Sequence, residues 1–192
     1  MLKTVRAVAL ALALVVAAAA AKEAKIKLSD EAGKLPAGTR VAVLSFQKGG
    51  VVEIELFDAE TPLTAANFAG LVEAGFYDGI PAHRVVPGFV VQAGDATLIG
   101  KKNPTTALAA EADTHACVRG AVSMARSATP RPDGGYAYGA TNPSQFFILM
   151  KDSAHLDAYF CVFGRVVTGM DVVDKIIQGD VIGTIRLVKV GG

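Results

Sequence analysis

Over most of this chain apolar residues fall in short strand-like runs, and the spacing becomes helical at only two places. Residues 41–46 and 51–56 are two such runs, and Lys48-Gly49-Gly50 between them predicts a β-hairpin turn. Thr61-Pro62 predicts a helix start, with a threonine N-cap and proline at the first helical position. Ala65, Phe68 and Leu71 or Val72 then recur at helical spacing until Gly75, which is placed to end the helix. Two strands are expected near 82–86 and 89–94, separated by a Pro87-Gly88 corner. Residues 95–118 are polar and read as loop, and further strands are expected over 118–124, 146–150 and 160–167. Val172, Val173, Ile176 and Ile177 form the apolar stripe of a second helix closed by Gly179, and residues 182–190 supply the last strand. Many short strands with two helices predict a mainly β fold, an antiparallel sheet closed into a barrel, because closure removes exposed edges.

The N-terminus changes this picture. Lys3 and Arg6 precede fifteen uninterrupted apolar residues, 7–21, which end in alanines before Lys22. A basic start, a short apolar run and small residues at its end form the pattern of a secretory signal peptide. The run is shorter than the roughly 18–20 residues that span a bilayer, although an uncleaved anchor is the rival reading. Residues 22–38, with Gly33, Pro36 and Gly38, read as a tether to a single domain over 39–192. The expected destination is the periplasm or the exterior, with no stable membrane insertion once the signal is removed. Residues 1–21 hold two cations and no acid, so the remainder carries 17 Lys and Arg against 18 Asp and Glu. Such a balance gives no electrostatic case for nucleic acid or an anionic membrane surface. An oxidising compartment would permit a disulfide between Cys117 and Cys161, but two buried thiols are the reading we favour.

The chemistry concentrates in the run Ala82-His83-Arg84-Val85-Val86-Pro87-Gly88-Phe89-Val90-Val91-Gln92-Ala93-Gly94-Asp95. The corner lets two short strands present Arg84, Val86, Phe89 and Gln92 to one surface. A cation beside an apolar platform, with no nucleophile or metal cluster, suits a reaction that makes and breaks no covalent bond. Gly120-Ala121-Val122-Ser123-Met124-Ala125 and Ser144-Gln145-Phe146-Phe147-Ile148 follow in order. Together the three blocks resemble the cyclophilin family of peptidyl-prolyl isomerases, over about residues 38–190.

The resemblance implies an eight-stranded barrel with a helix packed over each open end. It implies Arg84 as the catalytic donor, with Gln92 positioning Arg84 and the substrate backbone. Phe89, Val90, Phe147 and Leu156 match positions that wall a proline pocket, and Gln145 matches a polar residue at its rim. Ala125 and Arg126 match a segment whose main chain holds the residues before the proline. Four positions depart from the best-known eukaryotic pattern. Arg126 stands in place of asparagine, His155 in place of tryptophan, Phe160 in place of a histidine at the pocket edge, and Ala82 in place of an aromatic. His83 reads as a structural hydrogen-bonding residue, since isomerisation transfers no proton. The three histidines have no zinc-like spacing with either cysteine, and neither a metal nor a cofactor is expected. Residues 127–143, with Tyr136-Ala137-Tyr138-Gly139, read as a long loop that either meets the substrate upstream of its proline or lies idle on the surface. The expected function is monomeric proline isomerisation on folding exported proteins. The alternative is a peptide-binding or chaperone-like module with little catalysis.

Overall fold

A computed structural model describes residues 26–111 and 115–192, so the expected signal peptide and residues 22–25 of the expected tether lie outside the described residues. Eight strands run in order: β1 (Arg40–Phe46), β2 (Val51–Leu56), β3 (Arg84–Val86), β4 (Val90–Ala93), β5 (Ala121–Pro130), β6 (Tyr136–Leu149), β7 (Val162–Thr168) and β8 (Ile182–Lys189). They form one sheet in the spatial order β3-β4-β6-β5-β7-β2-β1-β8, and every pairing is antiparallel. Three α-helices accompany it: α1 (Asp30–Gly33), α2 (Pro62–Glu73) and α3 (Met170–Val173). Two 3-10 turns, Ala96–Ile99 and Ala154–Leu156, complete the set.

The strands make one curled antiparallel sheet, a half-barrel whose edge strands are β3 and β8, and the closure expected from the sequence does not appear in the strand pairing. The segments before those strands do meet, through a single bridge between Pro81 and Val181 and bonds from the Ala82 amide to the Asp180 carbonyl (2.8 Å) and from Ile182 to Ile80 (3.0 Å). Two further backbone bonds cross the same seam, from Gly79 to the Ile182 carbonyl and from Gly179 to the Ala82 carbonyl, both at 2.9 Å.

Alternation along the strands sorts their side chains to two faces. The inner face carries Ala42, Leu44, Val52, Ile54, Val91, Val122, Met124, Phe146, Ile148, Phe163 and Ile185, all buried in one cluster. Helix α2 covers it by inserting Phe68, whose ring meets those of Tyr77, Phe146 and Phe163 at 5.0–5.4 Å. Tyr77 is fully buried, and its hydroxyl donates to the Ser144 carbonyl at 3.0 Å. Burial pushes that phenol's pKa up. A second cluster lies on the outer face, where Val90, Ala125, Phe147, Leu149, Leu156 and Val162 pack with Phe57, Phe89 and Phe160.

The structure differs from the sequence reading at four further elements. Thr61 precedes α2 as expected but makes no capping bond with its side chain, which donates instead to the Phe57 carbonyl. The first-turn amides of Leu63 and Thr64 are taken by the Glu111 carboxylate, at 2.9 and 2.6 Å. The second helix shortens to the four residues of α3. Its continuation makes tighter i to i−3 bonds from Lys175 to Val172 and from Ile176 to Val173, and Ile177 turns out to solvent. The latter part of the tether is packed. Ser29 caps α1, Ala32 is buried against Val41, Val43 and Val190, and Glu53 accepts from both the amide and the hydroxyl of Ser29. Finally, the stretch read as loop 127–143 is mostly the outer half of the β5–β6 hairpin, with Ala128 opposite Tyr138 and Pro130 opposite Tyr136. Bulges around Arg126 set this arm off from the rest of the sheet.

Candidate active site

The strand register builds the site. Arg84 on β3 lies opposite Gln92 on β4, Gln92 opposite Phe147 on β6, and Phe147 opposite Ser123 on β5. Directly opposed residues of an antiparallel pair share a face, so a cation, an amide, an aromatic ring and a hydroxyl form one row across four strands. The row runs over the outer cluster and not over the main core.

Around it opens a cavity of about 510 Å³ lined by Arg84, Phe89, Val90, Gln92, Ala125, Arg126, Phe147, His155, Leu156 and Phe160, together with Ala128, Tyr136 and Tyr138. Ten of the twelve residues singled out in the sequence are therefore brought to one concavity. His83 and Gln145 are not among its lining residues and stand behind it. A larger cavity of about 800 Å³, bordered by Glu55, Asp58, Glu60, Arg119 and Arg165, holds none of the twelve.

The apolar side of the pocket is closely packed. Val90, Phe147 and Leu156 are buried, and Phe147 meets Phe160 edge to face at 5.3 Å. Phe89 stacks with His155 at 6.2 Å, and the Lys151 ammonium stands 5.8 Å from the Phe89 ring centre. The polar side is tied by a relay. The Gln92 amide donates to the Gln145 carbonyl oxygen at 3.0 Å, and Gln145 donates on to Asp95 at 3.4 Å. Gln92 thus faces Arg84 across the strands while its side chain is turned to Gln145. Asp95 also accepts from the Thr97 hydroxyl (2.6 Å) and from Asn103 (2.9 Å). These bonds, the Thr97 hydroxyl foremost, hold its carboxyl below the usual value despite partial burial.

Two residues that the sequence reading passed over place Gln145. The Asn142 side chain accepts from the amides of Ser144 and Gln145 at 2.9 and 2.8 Å. Gly94, at φ +99°, lets β4 approach so closely that a Cβ there would sit 2.3 Å from the Ser144 carbonyl. His83 donates its backbone amide to Gln92, and its buried Nδ1 has no hydrogen-bond partner. Burial lowers the imidazole pKa, and the Asp95 charge and Gln145 only partly offset this. His83 thus stands behind the row, bonded through its backbone amide to the strand that carries Gln92.

Of the seven arginines among the described residues, five pair with carboxylates. The remaining two, Arg84 and Arg126, both line this pocket. Arg126 is engaged by neutral acceptors, the Gly139 and Tyr159 carbonyls. Among the described residues no group of three or more His, Cys, Asp or Glu could hold a metal ion, and no helix is long and apolar enough to cross a membrane.

Comparison with known proteins identifies the family. The family model described as cyclophilin type peptidyl-prolyl cis-trans isomerase/CLD matches residues 41–190. Peptidyl-prolyl cis-trans isomerase B of Bacillus subtilis (strain 168) is 36% identical over 143 residues, 73% of this chain and 93% of its own length. Peptidyl-prolyl cis-trans isomerase A of Dickeya dadantii (strain 3937) is 40% identical over 149 residues, covering 74% of each chain. Among solved structures, a cyclophilin type isomerase from Cryptosporidium parvum crystallised in the presence of the dipeptide Ala-Pro superposes with a TM-score of 0.61 at 25% identity, over 79% of this chain and 99% of that one. Matched by the family model over residues 41–190 and by these relatives over about three-quarters of its length, this chain belongs to the cyclophilin-type family of peptidyl-prolyl cis-trans isomerases.

Proposed function

We propose that the pocket isomerises Xaa-Pro bonds in exported proteins without covalent chemistry, and that Arg84 supplies the catalytic charge. The observation that carries this reading is an arginine without a carboxylate partner at the mouth of an apolar pocket. The peptide bond resists twisting because twisting ends amide resonance, which sets a barrier of about 18–20 kcal/mol. In the twisted state the proline nitrogen becomes pyramidal and exposes a lone pair. A guanidinium that reaches this nitrogen, or holds the proline carbonyl, binds the twisted form better than the planar one. The proline ring itself sits against Phe89, Val90, Phe147 and Leu156, and the Gln92–Gln145–Asp95 relay keeps the polar edge in place. A carboxylate beside Arg84 would compete for its donors, and among the described residues none does so.

The Ala-Pro dipeptide present with the Cryptosporidium parvum protein suits a pocket of this kind. One chain supplies every lining residue, so the reading needs no second copy. We take the seam between residues 79–82 and 179–182 as the closure of the barrel, which would hold β3 and hence Arg84 still. The basic and apolar start of the sequence is the support for export. If it occurs through signal cleavage, the intact mass of the exported protein corresponds to a chain beginning near Lys22, whereas an uncleaved anchor retains residues 1–21.

The isomerase reading is tested by NMR exchange spectroscopy on a short Ala-Pro peptide with residues 22–192. Accelerated exchange between the cis and trans resonances supports catalysis. Peptide binding without acceleration would instead make the pocket a recognition module.

A further inference from the structure

The hairpin arm on one side of the pocket is built unlike the rest of the molecule. From Ser127 to Ala140 every residue is exposed except the half-buried Tyr138. A two-stranded ribbon of this kind is marginal on its own, yet this one is held in place. Arg126 donates from Nε (2.8 Å) and Nη2 (2.6 Å) to the Gly139 carbonyl and from Nη1 to the Tyr159 carbonyl (2.5 Å). One guanidinium thereby fastens the arm to the segment that bears Phe160. Tyr138 adds ring contacts with Tyr159 at 4.9 Å and Phe160 at 4.8 Å.

The consequence is an aromatic row that starts inside the pocket and leads out of it. Phe147 meets Phe160 at 5.3 Å, Phe160 meets Tyr138 at 4.8 Å, and Tyr138 meets Tyr136 at 6.4 Å. Three of the chain's four tyrosines stand in this one place. Tyr136 and Tyr159 are 54% and 47% exposed, so their rings remain available to a ligand. An extended peptide advances roughly 3.3–3.6 Å per residue, so a chain whose proline occupies the pocket reaches Tyr138 within about three residues.

Resting on the isomerase reading above, we propose that the arm, fastened by Arg126, is a substrate-binding arm, and that Tyr136 and Tyr138 on it with Tyr159 beside it take an aromatic side chain lying within three residues of the client's proline. Charge and desolvation together favour an aromatic residue over the alternatives. Arg84 and Arg126 repel a basic client residue. An acidic one would have to shed water against the rings, while an aromatic ring stacks on them and is tolerated by the guanidinium groups. The site is continuous with the proline pocket, so both are filled by one peptide. Arg126 acts here as a positioning residue.

The test uses residues 22–192 and alanine-based peptides with one central proline. A single Phe, Glu or Lys replaces Ala at each position from three before to three after the proline. The readout is the ratio of kcat/KM for each substituted peptide to that for the all-alanine peptide. At one or more positions the ratio for Phe should reach about tenfold through a lower KM. That ratio should fall toward one in Tyr138→Ala, in the surface variant Tyr136→Ala and in Arg126→Ala. A merely structural arm would lower every peptide together and leave the ratio intact, which overturns the proposal. A ratio near one for Phe at all six positions in the wild type overturns it as well. So does a preference for Glu that Arg126→Ala abolishes, since Arg126 would then act as a charge and not as a clamp. Should even the all-alanine peptide show no catalysed exchange, the isomerase reading is what fails. The Phe to Ala ratio of binding constants, from peptide shift titrations on the same variants, then decides the arm by the same criterion.

Discussion

At the scale of single residues, the site depends on side chains that hold other side chains. Gln145 is placed by Asn142 and in turn receives Gln92, and Asp95 is fixed by Thr97 and Asn103. Glu111 plays the same part for α2, the helix that covers the core. Partial burial would raise the Glu111 carboxyl, but bonds from Thr64 and from the Leu63 and Thr64 amides together hold it below its ordinary 4.5. Glu111→Gln should therefore cost about 0.5–2 kcal/mol, the usual worth of a lost N-cap. A folded-state pKa below the unfolded one gives stability that is complete above pH 4.5 and lost as pH falls through the folded value. Denaturant titrations from pH 7 down to about pH 3 should show the two proteins converging at the acid end. A gap that stays constant over this range would mean that the carboxylate charge does not matter to the cap. The sequence offered Thr61 for this role because a threonine before a proline is a local signal. Glu111 lies 48 residues from Leu63, and no local pattern connects the two.

Elements are legible in the sequence where one face is buried or a backbone demand is explicit. Lys48-Gly49-Gly50 marked its hairpin because both glycines adopt φ near +95°. The opposition of Arg84 and Gln92 followed from a tight corner at Pro87-Gly88. The arm was hidden for the converse reason. With both faces in solvent it has no apolar alternation, and its Ser, Thr, Pro and Gly content imitates a loop. The N-terminal segment was hidden because its polar residues have a buried partner far along the chain. Glu53 is 2% exposed and takes bonds from Ser29 and Thr168. Removing residues 22–38 would leave that carboxylate short of donors, at a cost of about 1–3 kcal/mol. A chain of this size loses roughly 2–4 °C of Tm per kcal/mol. Thermal unfolding of residues 39–192 against 22–192 should accordingly show a fall of about 2–12 °C. Equal midpoints would return the segment to the status of a tether.

For the whole molecule, the sheet serves two cores at once. Its inner face closes on Phe68 and α2, while its outer face carries the smaller cluster beneath the pocket. Because alternate residues of the same strands serve both, the main core fixes the register that aligns Arg84, Gln92 and Phe147. The central claim is that the Arg84 charge, held in this frame, lowers the barrier to rotation. Arg84 is exposed at a sheet edge, so its removal deletes a charge and no core volume. The most direct measurement is catalysed cis/trans exchange of an Ala-Pro peptide by NMR for the wild type and Arg84→Ala, with Tm recorded for both. The account predicts a loss of about 10²–10³ in kcat/KM, the usual effect of removing one donor to a developing charge, with Tm unchanged. Undiminished exchange in Arg84→Ala would contradict it, and so would a loss of activity that merely follows unfolding.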